Sequence, residues 1–198
     1  MILHPHPFYR RIRQVVREHP ALPEPWNGIV FRSVPLEFAR PEQILDGEGA
    51  MKSGARWNPP GLMRALYCSL KPGTAAEESM RLFELAGLKR ATVKPRLLVG
   101  IRCRLQAVIE LSKLVELISG ARLDELMAEE WRTINARHRE SLGQAVGRAL
   151  SEAGVEGLLV PSARVAGATN LVVFPANLHR TSRQQVLETA ELQKWMRQ

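Results

Sequence analysis

Five short runs of apolar and β-branched residues place the strongest constraint on how this chain folds. Each run has the length and composition of a buried strand. The runs are GIVFRSV (28–34), ALYCSL (65–70), PRLLVGIRCRL (95–105), GLLVPS (157–162) and TNLVVF (169–174), with AVIEL (107–111) as a possible sixth. Helical patterns interrupt them at irregular intervals. The sequence therefore predicts an α+β fold, in which a mixed β-sheet core is flanked by helices.

The N-terminal segment has the pattern of a short basic helix. Phe8, Ile12, Val15 and Val16 fall on one helical face with arginines around them, and HPALPEP (19–25) then breaks the pattern. We therefore expect the chain to begin with a basic helix and a linker.

The remaining segments predict one domain. Pro41 suits a helix start, residues 47–61 hold four glycines and two prolines and predict a long loop, and residues 123–153 have helical patterns. An amphipathic pattern over residues 184–196 predicts a closing helix. The expected organisation is a basic N-terminal helix and linker (1–25), one domain (26–182) and a C-terminal helix packed on that domain (183–198).

The charge balance favours an anionic partner. Lys and Arg outnumber Asp and Glu by 28 to 20, which gives a net charge of +8. Nucleic acid, a phosphate-bearing small molecule or an acidic protein would each suit this charge. No apolar run is long enough to span a bilayer, and Cys68 and Cys103 lack the spacing of metal ligands. We expect a cytoplasmic protein with reduced thiols, no membrane span and no bound metal.

Two adjacent glutamates lie in the stretch GTAAEESM (73–80). Thr74 and Glu77 have the spacing of a capping box, which predicts a helix over residues 74–85 and gives Glu77 a structural role. Glu78 is turned by about 100° around that helix, so it cannot share the cap. Its carboxylate either complements the helix dipole or does chemistry, and the spacing alone favours the first interpretation.

Other candidate residues also have ordinary structural explanations. Arg56 lies in SGARWNPPG (53–61), where its planar guanidinium suits a phosphate. The residues alone favour the other interpretation, a surface loop that the tryptophan staples to the core. Arg32 suits an outward position on a strand, and Tyr67 suits a core position. Ser162 follows one predicted strand and Asn170 begins the next. Both residue types are common in turns.

The order of these motifs resembles that of the RES domain family, named for an arginine, a glutamate and a serine. The resemblance runs from about Val30 to Phe174, and it rests on VFR, GARWNPPG, ALYCS, TAAEE, GLLVPSAR and TNLVVF. It implies a fold similar to that of the ADP-ribosyltransferase toxins. It also implies a bacterial toxin that attacks NAD⁺ and is paired with an Xre-like helix-turn-helix antitoxin.

The resemblance also implies a role for each candidate residue. Glu78 would oppose positive charge on the ribose, Arg32 and Arg56 would hold the diphosphate, Tyr67 would pack on a ring, and Ser162 would bond the substrate or Glu78. The implied catalytic residues are Glu78, Arg32 and Ser162, and the implied NAD⁺-binding residues are Arg32, Arg56, Tyr67, Ser162 and Asn170. Ala55 stands where the family has a glycine, which puts the tightness of that loop in question.

The acceptor of the ADP-ribose is left open by the sequence. Water or phosphate would give NAD⁺ degradation and growth arrest, whereas a protein side chain would make the chain an ADP-ribosyltransferase. A nucleic-acid-binding protein or a non-catalytic binding module is a further alternative, because the chain is basic and its N-terminal helix is rich in arginine. The resemblance favours a homodimer within a toxin–antitoxin complex, with DNA contacted through the antitoxin and not directly.

Overall fold

The computed structural model describes residues 2–85, 87, 94–118 and 120–188. Its strands are β1 (Glu24–Pro35), β2 (Leu66–Ser69), β3 (Arg96–Glu110), β4 (Gly157–Pro161), β5 (Thr169–Val173) and β6 (Arg183–Val186). Its helices are α1 (Tyr9–Glu18), α2 (Pro41–Leu45), α3 (Glu48–Ser53), α4 (Pro72–Leu85), α5 (Leu111–Leu117), α6 (Leu123–Ala128), α7 (Trp131–Ala136) and α8 (Leu142–Glu152).

The strands form one mixed sheet whose pairings close into a ring. The order is β1-β2-β5-β4-β3-β6, and β1 pairs with β3 as well as with β2. Strands β3 and β4 are parallel, and the other pairs are antiparallel. The predicted α+β fold with a mixed sheet and flanking helices is confirmed.

Two half-sheets, β1/β3/β6 and β2/β5/β4, meet at two junctions. One junction is the end of β3 against β4, and the other is a short contact at which Phe31 of β1 lies opposite Ser69 of β2. The polypeptide from β2 leads directly into α4, which packs on β1, β2 and β3. The second junction therefore lies under α4.

Two clusters of buried apolar side chains surround this sheet. Alternate residues of four strands form one cluster, which includes Val30, Ile101, Cys103 and Leu171. The other cluster joins the sheet to α1, α5 and α8. Burial raises the pKa of the Cys68 thiol to about 12 and that of the Cys103 thiol to about 11, and both cysteines are free thiols.

The basic N-terminal helix is confirmed as α1, and it belongs to the main core. Its apolar face buries Ile12, Val15 and Val16 against the helical cluster, and it packs on α8. Its arginines lie on the outer surface. Burial of three aliphatic side chains stabilises this arrangement by several kcal/mol, at about 1.5–3 kcal/mol for each side chain.

The predicted capping box of Thr74 and Glu77 is wrong. Helix α4 begins at Pro72, and the amide of Ala75 donates to the carbonyl oxygen of Lys71. Thr74 is therefore inside the first turn, where it is buried. Proline suits the first turn of a helix, because that position needs no N–H donor and has the φ that proline imposes.

Three other expectations change in the structure. The predicted loop over residues 47–61 contains the short helix α3, and AVIEL continues the preceding strand, so that β3 runs unbroken to Glu110. Residues 183–186 form strand β6 and not the start of a helix, because they complete the hydrogen bonding of an edge of β3. Residues 189–196 of the predicted C-terminal helix lie outside the described residues.

None of the helices within the described ranges has the length and apolar character that a membrane span requires.

Candidate active site

A cavity of about 380 Å³ opens at the junction of β1 and β2, beside α4. Five of the six predicted site residues line it, namely Arg32, Arg56, Tyr67, Glu78 and Asn170. The sixth, Ser162, contacts Glu78 directly. The cavity therefore brings together residues as far apart in the chain as Arg32 and Asn170, which are separated by 138 positions.

The Glu78 carboxylate is the centre of this site. Its Oε1 atom accepts a hydrogen bond from Ser162 Oγ at 2.6 Å and another from Asn170 Nδ2 at 2.7 Å. Glu78 projects from α4, whereas Ser162 directly follows β4 and Asn170 is the second residue of β5. Both hydrogen bonds fall on one oxygen, and the half-buried side chain lines the cavity.

The orientation of Ser162 is set by its own turn. Its Oγ accepts hydrogen bonds from the amides of Arg164 and Val165, at 3.1 and 3.0 Å. A hydroxyl that accepts two such bonds has its proton left to donate, and the acceptor that it meets is Glu78. The tight turn after β4 thus directs the Ser162 proton to the carboxylate.

The orientation of Asn170 is set by Ser69. These two residues are register partners on β5 and β2, and Ser69 Oγ donates to Asn170 Oδ1 at 2.7 Å. Because the amide oxygen is occupied by this donor, the Nδ2 group faces Glu78. Ser69 was not among the predicted residues. The signal that identifies it is the period of two along a strand, which puts it on the same face as Tyr67.

Arg32 lies at the wall of the cavity in a nearly dehydrated position. Its Nη1 donates to the main-chain oxygen of Tyr67 at 3.2 Å. Its Nε is buried and has no hydrogen-bond partner among the described residues. Burial lowers the pKa of Arg32, and the neighbouring Cys68 and Asp46 oppose that shift. An arginine has no means of losing its charge at neutral pH, so the wall is positively charged.

Arg56 also lines the cavity, but part of its guanidinium serves the fold. Its Nη1 donates to the main-chain oxygens of Leu126 and Glu129, at 3.3 and 2.9 Å. These carbonyls lie at the end of α6 and just before α7. Arg56 thereby holds the α6–α7 segment against the cavity. Its partners are 70 and 73 residues distant in sequence, so no local pattern predicts this contact.

The loop that carries Arg56 is seated on α8 through two glycines. A Cβ atom at Gly147 would lie 1.7 Å from the carbonyl oxygen of Trp57, and one at Gly143 would lie 2.7 Å from that of Arg56. Only glycine allows so close an approach of two backbones. Trp57 itself is buried in the helical cluster, which confirms that the tryptophan staples this loop to the core.

The hydroxyl of Tyr67 holds the same loop in place through two hydrogen bonds. It donates to Asn58 Oδ1 at 2.8 Å and accepts from the Trp57 amide at 3.1 Å. Burial raises the pKa of Tyr67, so the hydroxyl stays protonated. The hydroxyl is therefore committed to the loop, and only the ring remains to contact a ligand.

The cavity-lining residues that were not predicted from the sequence include Arg96, Trp131 and Arg132. The Arg132 guanidinium lies 4.2 Å from the centroid of the Trp131 ring, a distance typical of a cation–π contact. Both residues belong to α7, in a segment outside the recognisable motifs, so only the three-dimensional structure reveals them.

A larger groove of about 860 Å³ runs along α1, and none of the predicted site residues lines it. Within the described part of the chain, no group of three or more His, Cys, Asp or Glu side chains is arranged to hold a metal ion. The hydrogen-bonded Glu78 carboxylate lies at the smaller cavity.

The fold and this cavity define a class of protein: an α+β domain in which a serine and an asparagine hold a glutamate at an arginine-lined cavity. The model of the RES domain matches residues 29–195 of the chain. The chain therefore belongs to the RES domain family, which confirms the resemblance inferred from the order of its motifs.

Among solved structures, the chain is similar to one in the crystal structure of the M. tuberculosis MbcT–MbcA toxin–antitoxin complex. The alignment has a TM-score of 0.64 and 23% sequence identity, and it covers 94% of this chain and 97% of that chain. At this identity the similarity shows a shared fold. No curated protein matches the chain.

Proposed function

We propose that this chain is the toxin of a bacterial toxin–antitoxin pair and that it cleaves the nicotinamide–ribose bond of NAD⁺. The observation that carries the proposal is the Glu78 carboxylate, held on one oxygen by Ser162 and Asn170 at the wall of an arginine-lined cavity. Membership of the RES domain family and the fold shared with a chain of a toxin–antitoxin complex support it.

The proposed role of Glu78 follows from the charge that develops on the sugar. When the bond between C1′ and the nicotinamide nitrogen breaks, the ring leaves with the bonding electrons as a neutral molecule. The ribose then has oxocarbenium character, and a fixed carboxylate beside it stabilises that positive charge. A neutral leaving group needs no general acid, so a single carboxylate suffices.

Ser162 and Asn170 are proposed to hold Glu78 in position for this step. Both donate to Oε1, so the carboxylate needs no reorganisation as positive charge develops, and such preorganisation is a major source of catalytic power. The Tyr67 ring at the cavity wall is proposed to contact a ring of the substrate. Arg32 supplies positive charge for the diphosphate.

The acceptor in the second half of the reaction is water or phosphate in the proposed NAD⁺ degradation. A protein side chain as acceptor would give an ADP-ribosyltransferase instead, with the same first step. The volume of the cavity, about 380 Å³, falls within the range of sites for small molecules. This size favours a small-molecule reaction at Glu78 over direct binding of nucleic acid there.

The proposed partner is an Xre-like antitoxin, and the proposed assembly contains a toxin homodimer. The simplest mode of inhibition is a segment of the antitoxin that occupies the arginine-lined cavity and excludes NAD⁺. Contact with DNA would then occur through the antitoxin, and the site of action would be the cytoplasm.

Controlled expression in bacteria tests the proposal. Wild-type protein should arrest growth and lower cellular NAD⁺, and co-expression of the antitoxin encoded beside it should restore both. The Glu78→Gln protein, confirmed as soluble and equally abundant, is the matched control and should permit growth. Normal growth with unchanged NAD⁺ in cells that contain soluble wild-type protein without its antitoxin would contradict the proposal.

A further inference from the structure

A further arginine at the cavity, Arg96, is placed to bind an anion. Its Nε donates to Ser33 Oγ at 3.0 Å, and its Nη2 donates to the main-chain oxygen of Ser33 at 2.8 Å. The guanidinium carbon also lies 5.8 Å from the centroid of the Phe83 ring. Three contacts on two different elements thus hold this side chain in one orientation at the cavity wall.

The strand register puts Arg96 on the same face of the sheet as the support of Glu78. Arg96 lies opposite Pro35 in the β1–β3 pairing, and the alternation along β1 places Pro35, Ser33 and Phe31 on one face. Phe31 lies opposite Ser69 at the β1–β2 junction. Arg96 therefore shares a face with Ser69, which orients the asparagine that holds Glu78.

Among the described residues, four arginines line the cavity: Arg32, Arg56, Arg96 and Arg132. Neither Arg96 nor Arg32 forms an ion pair with a described carboxylate. Burial, and secondarily the positive charge of Arg32, lower the pKa of Arg96. Asp46 offsets part of the charge of Arg32, and a ligand phosphate between the two arginines would relieve the remaining repulsion.

Arg56 differs from these two arginines in what holds it. The carbonyl oxygens of Leu126 and Glu129 accept from its Nη1, so its guanidinium is already used to fix the α6–α7 segment. The sequence resemblance assigned Arg56 to the diphosphate, but the contacts suit a supporting role.

We infer that Arg96, together with Arg32, binds the diphosphate of the dinucleotide, and that Arg56 acts indirectly by positioning α6 and α7. This inference rests on the proposed function, and it extends that function by naming the residues that select a diphosphate-bearing substrate. The planar guanidinium of Arg96, clamped by Ser33, presents its remaining N–H groups in a fixed geometry that suits phosphate oxygens.

Calorimetric titration with ADP-ribose and with adenosine tests the inference. Arg96→Gln removes the charge but keeps a side-chain amide, and it should weaken binding of ADP-ribose by roughly tenfold or more, the loss typical of a charge-assisted hydrogen bond. Binding of adenosine, which lacks phosphate, should change by less than about twofold. Ser33→Ala, which frees the Arg96 side chain without altering its charge, should weaken ADP-ribose binding to a smaller extent.

Arg104→Gln is the matched control, because it removes the same charge from an exposed position on the same strand. It should leave both affinities unchanged. Equal ADP-ribose affinity in the wild-type and Arg96→Gln proteins, each confirmed as folded by thermal melting, would overturn the inference. Wild-type protein that binds ADP-ribose through Arg96 but leaves NAD⁺ intact would contradict the proposed reaction while supporting the diphosphate site.

Discussion

Glu78 is half-buried and Glu156 is buried, and each accepts a hydrogen bond from a serine, yet their surroundings differ. Glu78 accepts side-chain hydrogen bonds on Oε1 and lines a cavity. Glu156 is 1% exposed and accepts on both oxygens. Its donors are the amides of Gln106 and His179 and the hydroxyl of Ser182, which lies 3.0 and 2.8 Å from the two oxygens.

The difference separates a structural carboxylate from one available for chemistry. Glu156 ties β3 and the segment after β5 to the start of β4, and every oxygen it has is used for that purpose. Among the described residues, the hydrogen-bond donors to Glu78 contact only its Oε1 atom, and the side chain lines a cavity that a ligand can enter. A buried carboxylate whose two oxygens both accept hydrogen bonds therefore points to a structural role. A carboxylate at a cavity that keeps one oxygen available for a ligand is a better candidate for a functional residue.

The largest effect should come from neutralising Glu78. Glu78→Gln keeps the shape of the side chain but removes the charge that is proposed to oppose the oxocarbenium ion, so NAD⁺ turnover should fall by roughly 10²–10³-fold. The melting temperature should change little, because the carboxylate is only partly buried. Initial rates of nicotinamide release, measured at saturating NAD⁺, provide the test. Turnover within a few-fold of wild type would remove Glu78 from the reaction.

Glu156→Gln should show the opposite behaviour. In the variant, an NH₂ group replaces one carboxylate oxygen and faces N–H and O–H groups that can only donate to it. These buried donors lose their acceptor, which should lower the free energy of unfolding by about 3 kcal/mol. Turnover per folded molecule should stay within about twofold of wild type. Urea denaturation gives the stability, and a rate corrected for the folded fraction gives the turnover. An inactive but fully stable variant would break the comparison.

The serine partners should repeat this contrast on a smaller scale. Ser162→Ala removes one of two donors to Glu78, so turnover should fall by about tenfold, with little loss of stability. Ser182→Ala removes a donor to Glu156 and should cost about 1.5 kcal/mol in stability, with turnover unchanged. The two variants are measured side by side by the same rate assay and urea titration. Equal effects on both quantities would show that the two carboxylates do not differ in role.

The smallest effect is expected at Glu77, which is adjacent to Glu78. Its ion pair with Arg164 is long, at 4.0 Å, and its side chain is 39% exposed; because ion pairs at exposed positions contribute little, Glu77→Ala should cost less than about 1 kcal/mol. Because α4 begins before Thr74, no capping interaction is lost. Turnover and melting temperature should both stay near wild type. If Glu77→Ala were the inactive variant, the assignment of the two glutamates would be reversed.

Much of this fold could be predicted from local sequence patterns. The strands were predicted because their apolar runs are continuous, and α1 because its apolar face repeats with the helical period. The start of α4 was misplaced because Thr74 and Glu77 imitate a capping box, although the proline at residue 72 is an equally local signal. The β6 strand was missed because its partner is an edge of β3 about 80 residues earlier.

The candidate site also contains residues that the sequence predicts and residues that it does not. Glu78, Ser162 and Asn170 could be assigned from the order of family motifs, and the structure brings them within hydrogen-bonding distance. Arg56 has contacts that depend on a segment far along the chain, and Arg96 faces the cavity through the register of two strands. Such contacts depend on tertiary packing, so no local pattern contains them.

Proton NMR of NAD⁺ incubated with purified wild-type protein tests the central claim most directly, because it identifies the bond that breaks. We expect the resonances of the nicotinamide ring in NAD⁺ to be replaced by those of free nicotinamide. Resonances of ADP-ribose, or of its phosphorylated form in phosphate buffer, should appear at the same time. Intact NAD⁺, or cleavage at the diphosphate to give nicotinamide mononucleotide, would contradict the account.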